Sequence, residues 1–211
     1  MHPWIWFSAI LFGVTSVAAK DAEVVRLPPP QMSGGMPLMQ ALHERHSTRE
    51  FAARPLEPQV LANLLWAADG VNRPETGKRT APSARDWREI DIYVATADGT
   101  YVYEPTGNAL RLVVAKDLRA LTGMQDFVGT APLDLVYVAD RRRMVDAGEA
   151  DRDRYANTDT GFIAQNVYLF CASNGLNVVV RGSVDREALA KALHLNRQQQ
   201  VILAQTVGYP E

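Results

Sequence analysis

Leu38, Ala41 and Leu42 recur at helical spacing behind Pro37, and Val60, Leu61, Leu64, Leu65 and Ala68 repeat that spacing behind Pro58. Two amphipathic helices are predicted, the second stopping at Gly70. The period then changes. Ile90, Ile92 and Val94 alternate with Asp91, Tyr93 and Ala95, and Asp98-Gly99 precedes Tyr101-Val102-Tyr103, the pattern of a hairpin with a tight turn. Residues 133–138 form a nearly continuous apolar run, as expected of a central strand. Asp159 is placed to cap a helix carrying Phe162, Ile163, Val167, Phe170 and Cys171, which ends near Asn174-Gly175. A buried strand over 178–180, a short helix over 185–193 and a last strand over 201–207 complete the reading. Helices and strands mixed in this way predict an α+β fold, a mixed sheet flanked by helices. Residues 140–154 carry five acidic and five basic side chains with little apolar periodicity, so a mobile, solvated excursion is expected there.

The N-terminal pattern changes the picture. Residues 4–19 are apolar and uncharged and end in Val17-Ala18-Ala19, which suits a signal-peptidase site, so residues 1–19 are read as an export signal with a periplasmic destination. Met1-His2-Pro3 contains no Lys or Arg, and an uncleaved anchor is the alternative. Residues 20–36, with Pro28-Pro29-Pro30 and Gly34-Gly35, are expected to be an extended linker, which leaves 37–211 as one folded domain. Cys171 is the single cysteine, so no intramolecular disulfide forms, and its apolar neighbours predict a buried, inert thiol. With 24 acidic and 22 basic residues the formal net charge is −2, which points to neither nucleic acid nor an anionic membrane surface. Any anion site must be local.

Arg45-His46-Ser47-Thr48-Arg49 is the strongest local candidate. Two guanidiniums, an imidazole and two hydroxyls fall within five residues, and the guanidinium fork matches phosphate oxygens. A solvated polar helix end has the same composition. Two further loops combine turn-formers with donors: Thr80-Ala81-Pro82-Ser83-Ala84-Arg85-Asp86-Trp87 before the hairpin, and Arg181-Gly182-Ser183 after the 178–180 strand. Gly182 permits close backbone approach to a planar ligand, and Arg181 adds a cation at a strand end. Three such loops in one small domain point to a bound anionic cofactor. No Gly-x-Gly-x-x-Gly follows a strand, and Gly77-Lys78-Arg79-Thr80 lacks the upstream glycine of a phosphate loop. His43 and His46 have no third ligand beside them, so no metal site is expected. Phe51 and Trp66 read as core aromatics.

Arg45-His46-Ser47-Thr48-Arg49-Glu50-Phe51, Leu64-Leu65-Trp66-Ala67-Ala68-Asp69-Gly70, Gly77-Lys78-Arg79-Thr80-Ala81-Pro82-Ser83-Ala84, Asp159-Thr160-Gly161-Phe162 with Gln165-Asn166, and Val207-Gly208-Tyr209-Pro210 together resemble the nitroreductase family, in particular its exported, thiazoline-oxidase-like members. The resemblance runs in order from Pro37 to Glu211. It implies an FMN-dependent oxidoreductase with the nitroreductase-like fold, working on a small organic substrate in a ping-pong cycle. It also implies a homodimer with each flavin at the subunit interface. Arg45, His46 and Ser47 would hold the phosphate and ribityl chain, and Arg49 the pyrimidine edge. Pro82, Ser83, Ala84 and Arg85 would come from the partner subunit, and the Arg181-Gly182 backbone would approach flavin N5. A cation at the N1/O2 edge favours reduction, because the reduced flavin is anionic there. No side chain stands out as an obligatory acid or base. Relatives often carry a neutral amide where Asp86 stands and continue past Gly208-Tyr209-Pro210, so weaker FMN binding is expected. An exported enzyme lies outside the cytoplasmic nicotinamide pools, so the expected electron source is an organic substrate or an electron-donor protein. The rival expectation is a non-catalytic binding module on the same scaffold.

Overall fold

The structure is a computed structural model that describes residues 23–211. The expected export signal of residues 1–19 lies outside the described residues. From Glu23 onward the order is β1 (Val24–Arg26), α1 (Leu38–Glu44), α2 (Pro58–Asp69), β2 (Val71–Arg73), β3 (Lys78–Arg79), β4 (Ile90–Ala95), β5 (Thr100–Glu104), β6 (Ala109–Val114), β7 (Leu133–Asp140), α3 (Glu149–Ser173), β8 (Asn177–Arg181), α4 (Arg186–Ala192) and β9 (Gln199–Gly208).

Seven strands form one sheet in the order β1-β6-β5-β4-β7-β9-β8, and β2 pairs with β3 in a small separate ladder. The α+β class holds, and the sheet differs from the mixed one expected: all of its ladders are antiparallel. Strands β4, β5 and β6 follow one another through short turns, which requires antiparallel neighbours. The expected linker is also corrected in part. Val24–Arg26 pairs with β6, Val24 opposite Arg111 and Arg26 opposite Ala109, so the folded body begins before Pro37. Burial of this strand is slight, which is why its apolar pattern is weak.

The period-2 alternation sorts side chains to two cores. Ile90, Ile92, Val94, Leu133, Leu135 and Tyr137 pack against Leu64, Leu65 and Ala68 of α2 and Ile163, Val167 and Cys171 of α3. Tyr93, Val136 and Val138 face the other way, onto Leu189 and Leu193 of α4. Strand β7 lies between β4 and β9 and is buried at all positions, in agreement with its apolar run.

Helix α3 begins ten residues before the expected cap at Asp159. Its buried positions, Ala156, Asp159, Thr160, Ile163, Ala164, Val167, Tyr168 and Cys171, keep the i, i+3, i+4 spacing of one helical face. Residues 149–154 of the expected solvated excursion therefore belong to α3. There Arg152 pairs with Glu149 and Arg154 with Asp151, both three residues apart, and Arg141 reaches Glu149 and Asp153. Acidic residues in the first turn suit the positive end of the helix dipole. Cys171 is fully buried, and burial pushes its thiol well above the ordinary range, as expected of an inert side chain.

Candidate functional site

Helix α1 ends at Glu44 because Arg45 turns out of helical geometry (φ −58°, ψ 117°) while its N–H still donates to the carbonyl of Ala41. The next residues dock on β8, an edge strand of the sheet. The Thr48 N–H donates to Val178 O (2.9 Å), and the Val178 N–H donates to Thr48 Oγ1 (2.9 Å). Tyr168 of α3 ties the same segment down: its hydroxyl accepts from the Val180 N–H at 2.9 Å and lies 2.7 Å from Ser47 Oγ. These bonds satisfy edge N–H groups of β8 that the ladder with β9 leaves free, and they fix the 45–48 backbone. The Arg45 guanidinium stacks 5.3 Å from the centre of the Tyr168 ring. His46 Nδ1 donates to Glu44 O at 2.6 Å. Arg45 is half-buried and His46, Ser47 and Arg49 are exposed, so anchored backbone presents cationic and hydroxyl donors outward. This arrangement fits a phosphate.

The 82–85 segment is held from behind by two carboxylates. Ser83 Oγ donates to Glu89 Oε2 (3.2 Å) and accepts from the Arg88 N–H (2.8 Å), and the Ala84 N–H donates to Asp159 Oδ2 (2.8 Å). Arg85, Asp86 and Arg88 all have positive φ, 49°, 58° and 51°. Such conformations are costly for non-glycine residues and need surrounding bonds to persist. Asp86 carries a carboxylate that Arg88 pairs with, which holds its pKa below the usual range. Pro82 and Arg85 are exposed, and the Arg85 guanidinium lies 5.4 Å from the Trp87 ring centre.

Arg181 corrects one expectation. Its guanidinium is not presented at the strand end; its side chain is 2 % exposed and turns into the protein. Nη2 pairs with Asp134 Oδ1 (2.8 Å), Nη1 donates to Thr122 O (2.7 Å) and Nε donates to Thr206 Oγ1 (3.1 Å). The backbone role remains open to it, because Gly182 is exposed and a Cβ there would meet only Leu203 Cδ2 at 3.8 Å.

Within the chain the structure brings 45–48 and 178–180 together, and it keeps 82–85 apart from them. Ser47 contacts α3 at Tyr168 and Ala84 contacts it at Asp159, nine residues and roughly 13 Å along the helix. Sequence reasoning missed Tyr168, Glu89, Asp134 and the inward role of Asp159. Periodicity carried a signal for two of them: Asp159 and Tyr168 share the inward stripe with Ile163 and Cys171, where a charge or hydroxyl must find a partner. Asp134, inside the apolar run, carried the same signal. Glu89 and Asp69 also line a cavity with Arg79; burial pushes each carboxyl up to about 7, for Asp69 against the pull of Arg79.

A model of the nitroreductase family matches residues 42–209. A nitroreductase-family protein of Methanocaldococcus jannaschii is 33% identical over 156 residues, 69% of this chain and 78% of its own. A nitroreductase-family crystal structure from Ralstonia eutropha JMP134 superposes with a TM-score of 0.86 at 46% identity, covering 94% of this chain and 97% of that one. The NADPH:FMN oxidoreductase of Vibrio harveyi, solved with NAD+, shares the fold with a TM-score of 0.62 at 20% identity over 82% of this chain and 69% of its own.

Proposed function

Because the chain belongs to the nitroreductase family of oxidoreductases, we propose that it is an FMN-dependent oxidoreductase of the thiazoline-oxidase-like branch, working as a homodimer. The observation that carries this reading is the anchored 45–49 segment, which holds exposed donors of phosphate-binding type on a backbone fixed to β8 and Tyr168. Arg45, His46 and Ser47 hold the phosphate and ribityl chain. Arg45 keeps its orientation by stacking on Tyr168, and Ser47 by its bond to the same hydroxyl. Arg49 lies at the pyrimidine edge, where its charge favours the reduced, anionic form. Gly182 admits the ring edge because it has no side chain. The partner protomer supplies Pro82, Ser83, Ala84 and Arg85, in keeping with the separation of the two segments within one chain. Bound FMN supplies hydride exchange at N5 to a small organic substrate; the protein supplies binding, orientation and charge.

Residues 1–19 direct export to the periplasm in this reading, and the electron source is an organic substrate or an electron-donor protein rather than free NADH or NADPH. Intact-mass analysis of periplasmic protein tests processing after Ala19. For the cofactor, the test is titration of purified protein with FMN. A hydrogen bond to a charged group contributes about 1.5–3 kcal/mol, so Arg45→Ala should weaken FMN roughly ten- to a hundredfold, with a smaller loss for Ser47→Ala. Titrations unchanged in both variants would remove the assignment. Sedimentation of the same samples tests the dimer, which should lose FMN on dilution to monomer.

A further inference from the structure

Asp69, Glu89 and Asp159 line one cavity of about 290 Å³ between the C-terminal end of α2, the β2–β3 ladder, the 82–89 loop and α3. Its charges divide into two sets. Arg79 pairs with Asp69 at 2.9 Å and Arg88 with Asp86 at 2.5 Å, and these four offset one another. Glu89 and Asp159 form no ion pair with a cation among the described residues, while Lys78 and Arg73, both exposed, form none of their own and bear only through space on Asp86. Glu89 is 0 % exposed, one oxygen is taken by Ser83, and Oε1 has no hydrogen-bond partner. Nε of Arg79, also buried, has none either. One cavity thus holds an unmet acceptor and an unmet donor, each costly to leave so.

We propose that this cavity binds a small zwitterion, an amine and a carboxylate joined by a short aliphatic linker, with the ammonium on Glu89 and Asp159 and the carboxylate against Arg79 and Lys78. A simple cation would have to pass Lys78 and Arg73, and a simple anion would meet two carboxyls inside. Among the described residues no group of three His, Cys, Asp or Glu side chains is arranged to hold a metal ion. Known small-molecule sites begin at about 300 Å³, so the ligand is small. Burial, with the Asp159 carboxylate beside it, pushes the Glu89 carboxyl up, and an ammonium between the two would offset both causes.

The proposal does not rest on the flavin reading, and Pro82 and Ser83 line both sites. Isothermal titration of the purified protein with 4-aminobutyrate, butyrate and butylammonium tests it. The zwitterion should bind with a dissociation constant below about 1 mM, and each single-charge analogue at least tenfold more weakly. Glu89→Gln should weaken 4-aminobutyrate at least tenfold. Lys78→Ala, an exposed change that leaves the fold intact, should weaken it several-fold. Absence of binding, equal binding of an analogue, or unchanged affinity in Lys78→Ala would overturn the proposal. Visible absorbance of the same samples separates the two readings: colourless protein that binds 4-aminobutyrate defeats only the flavin reading, and flavin-loaded protein that ignores it defeats only this one.

Discussion

Replacing Arg181 with Met tests how the end of β8 is held. Arg181 and Asp134 are 2 % and 0 % exposed, and the guanidinium donates to Asp134, Thr206 and both Thr122 oxygens. Asp134 loses its ion pair when the guanidinium goes, keeps the Thr206 hydroxyl on Oδ1, and its Oδ2 already lacks a hydrogen-bond partner. Removing one member of a buried ion pair costs about 3–5 kcal/mol, because the other charge stays buried. For a chain of this size each kcal/mol moves the melting temperature by about 2–4 °C, so Arg181→Met should lower it by roughly 6–20 °C. Burial already pushes Asp134 up to about 6 with Arg181 beside it, and without that cation it rises further. A folded-state pKa raised above the unfolded value contributes stability that is full below the unfolded value and is lost as pH rises through the folded one. The deficit of Arg181→Met should therefore be smaller at pH 5 than at pH 8. Arg181→Met/Asp134→Leu should recover at least half of it. Urea unfolding of the three proteins at both pH values decides the matter. A loss below about 1 kcal/mol, or one equal at pH 5 and 8, would refute the account.

Tyr168→Phe should leave the Val180 N–H unsatisfied and free Ser47, costing about 1–3 kcal/mol in urea unfolding and roughly tenfold in FMN affinity; unchanged flavin titrations would detach Tyr168 from the site. Gly70→Ala should destabilise by about 1–3 kcal/mol although the backbone there is ordinary (φ −73°), because a Cβ would lie 2.4 Å from Trp66 Cδ1 and 2.7 Å from its Cα. A thermal melt matching the parent would show that Trp66 can move aside. Glu89 and Asp69 are both raised to about 7 by burial, so their contribution is full below about pH 4 and fades as pH rises through 7. Each of the two carboxyls contributes about 2 kcal/mol of extra stability at pH 5.5 relative to pH 8, and Glu89→Gln should reduce the difference by about that much. Asp86, Asp117 and Asp140, lowered by their arginines, lose their contributions only at more acidic pH, whereas Asp134, raised to about 6, adds to the same window.

Periodicity alone determined the strongly patterned elements. Leu64, Leu65 and Ala68 specify α2, the alternation at Ile90, Ile92 and Val94 specifies β4, and the 133–138 run specifies a strand with both faces covered. Each follows from side chains that one element can sort to a buried face without reference to another. Beyond the β4–β5 hairpin, the antiparallel direction of the ladders, the recruitment of Val24–Arg26 and the start of α3 at Glu149 were not legible, because they depend on which strand edge or charged side chain a segment meets in space. The same division runs through the site. Composition singled out Arg45, Ser47 and Arg49 as candidate phosphate donors, because such donors cluster in sequence. Tyr168, Glu89 and Asp159 act on loops 121, 6 and 75 residues away, and the inward turn of Arg181 depends on Asp134 and Thr206, 47 and 25 residues away. A buried polar group must find a partner, but the chain records only that need; packing decides which residue meets it.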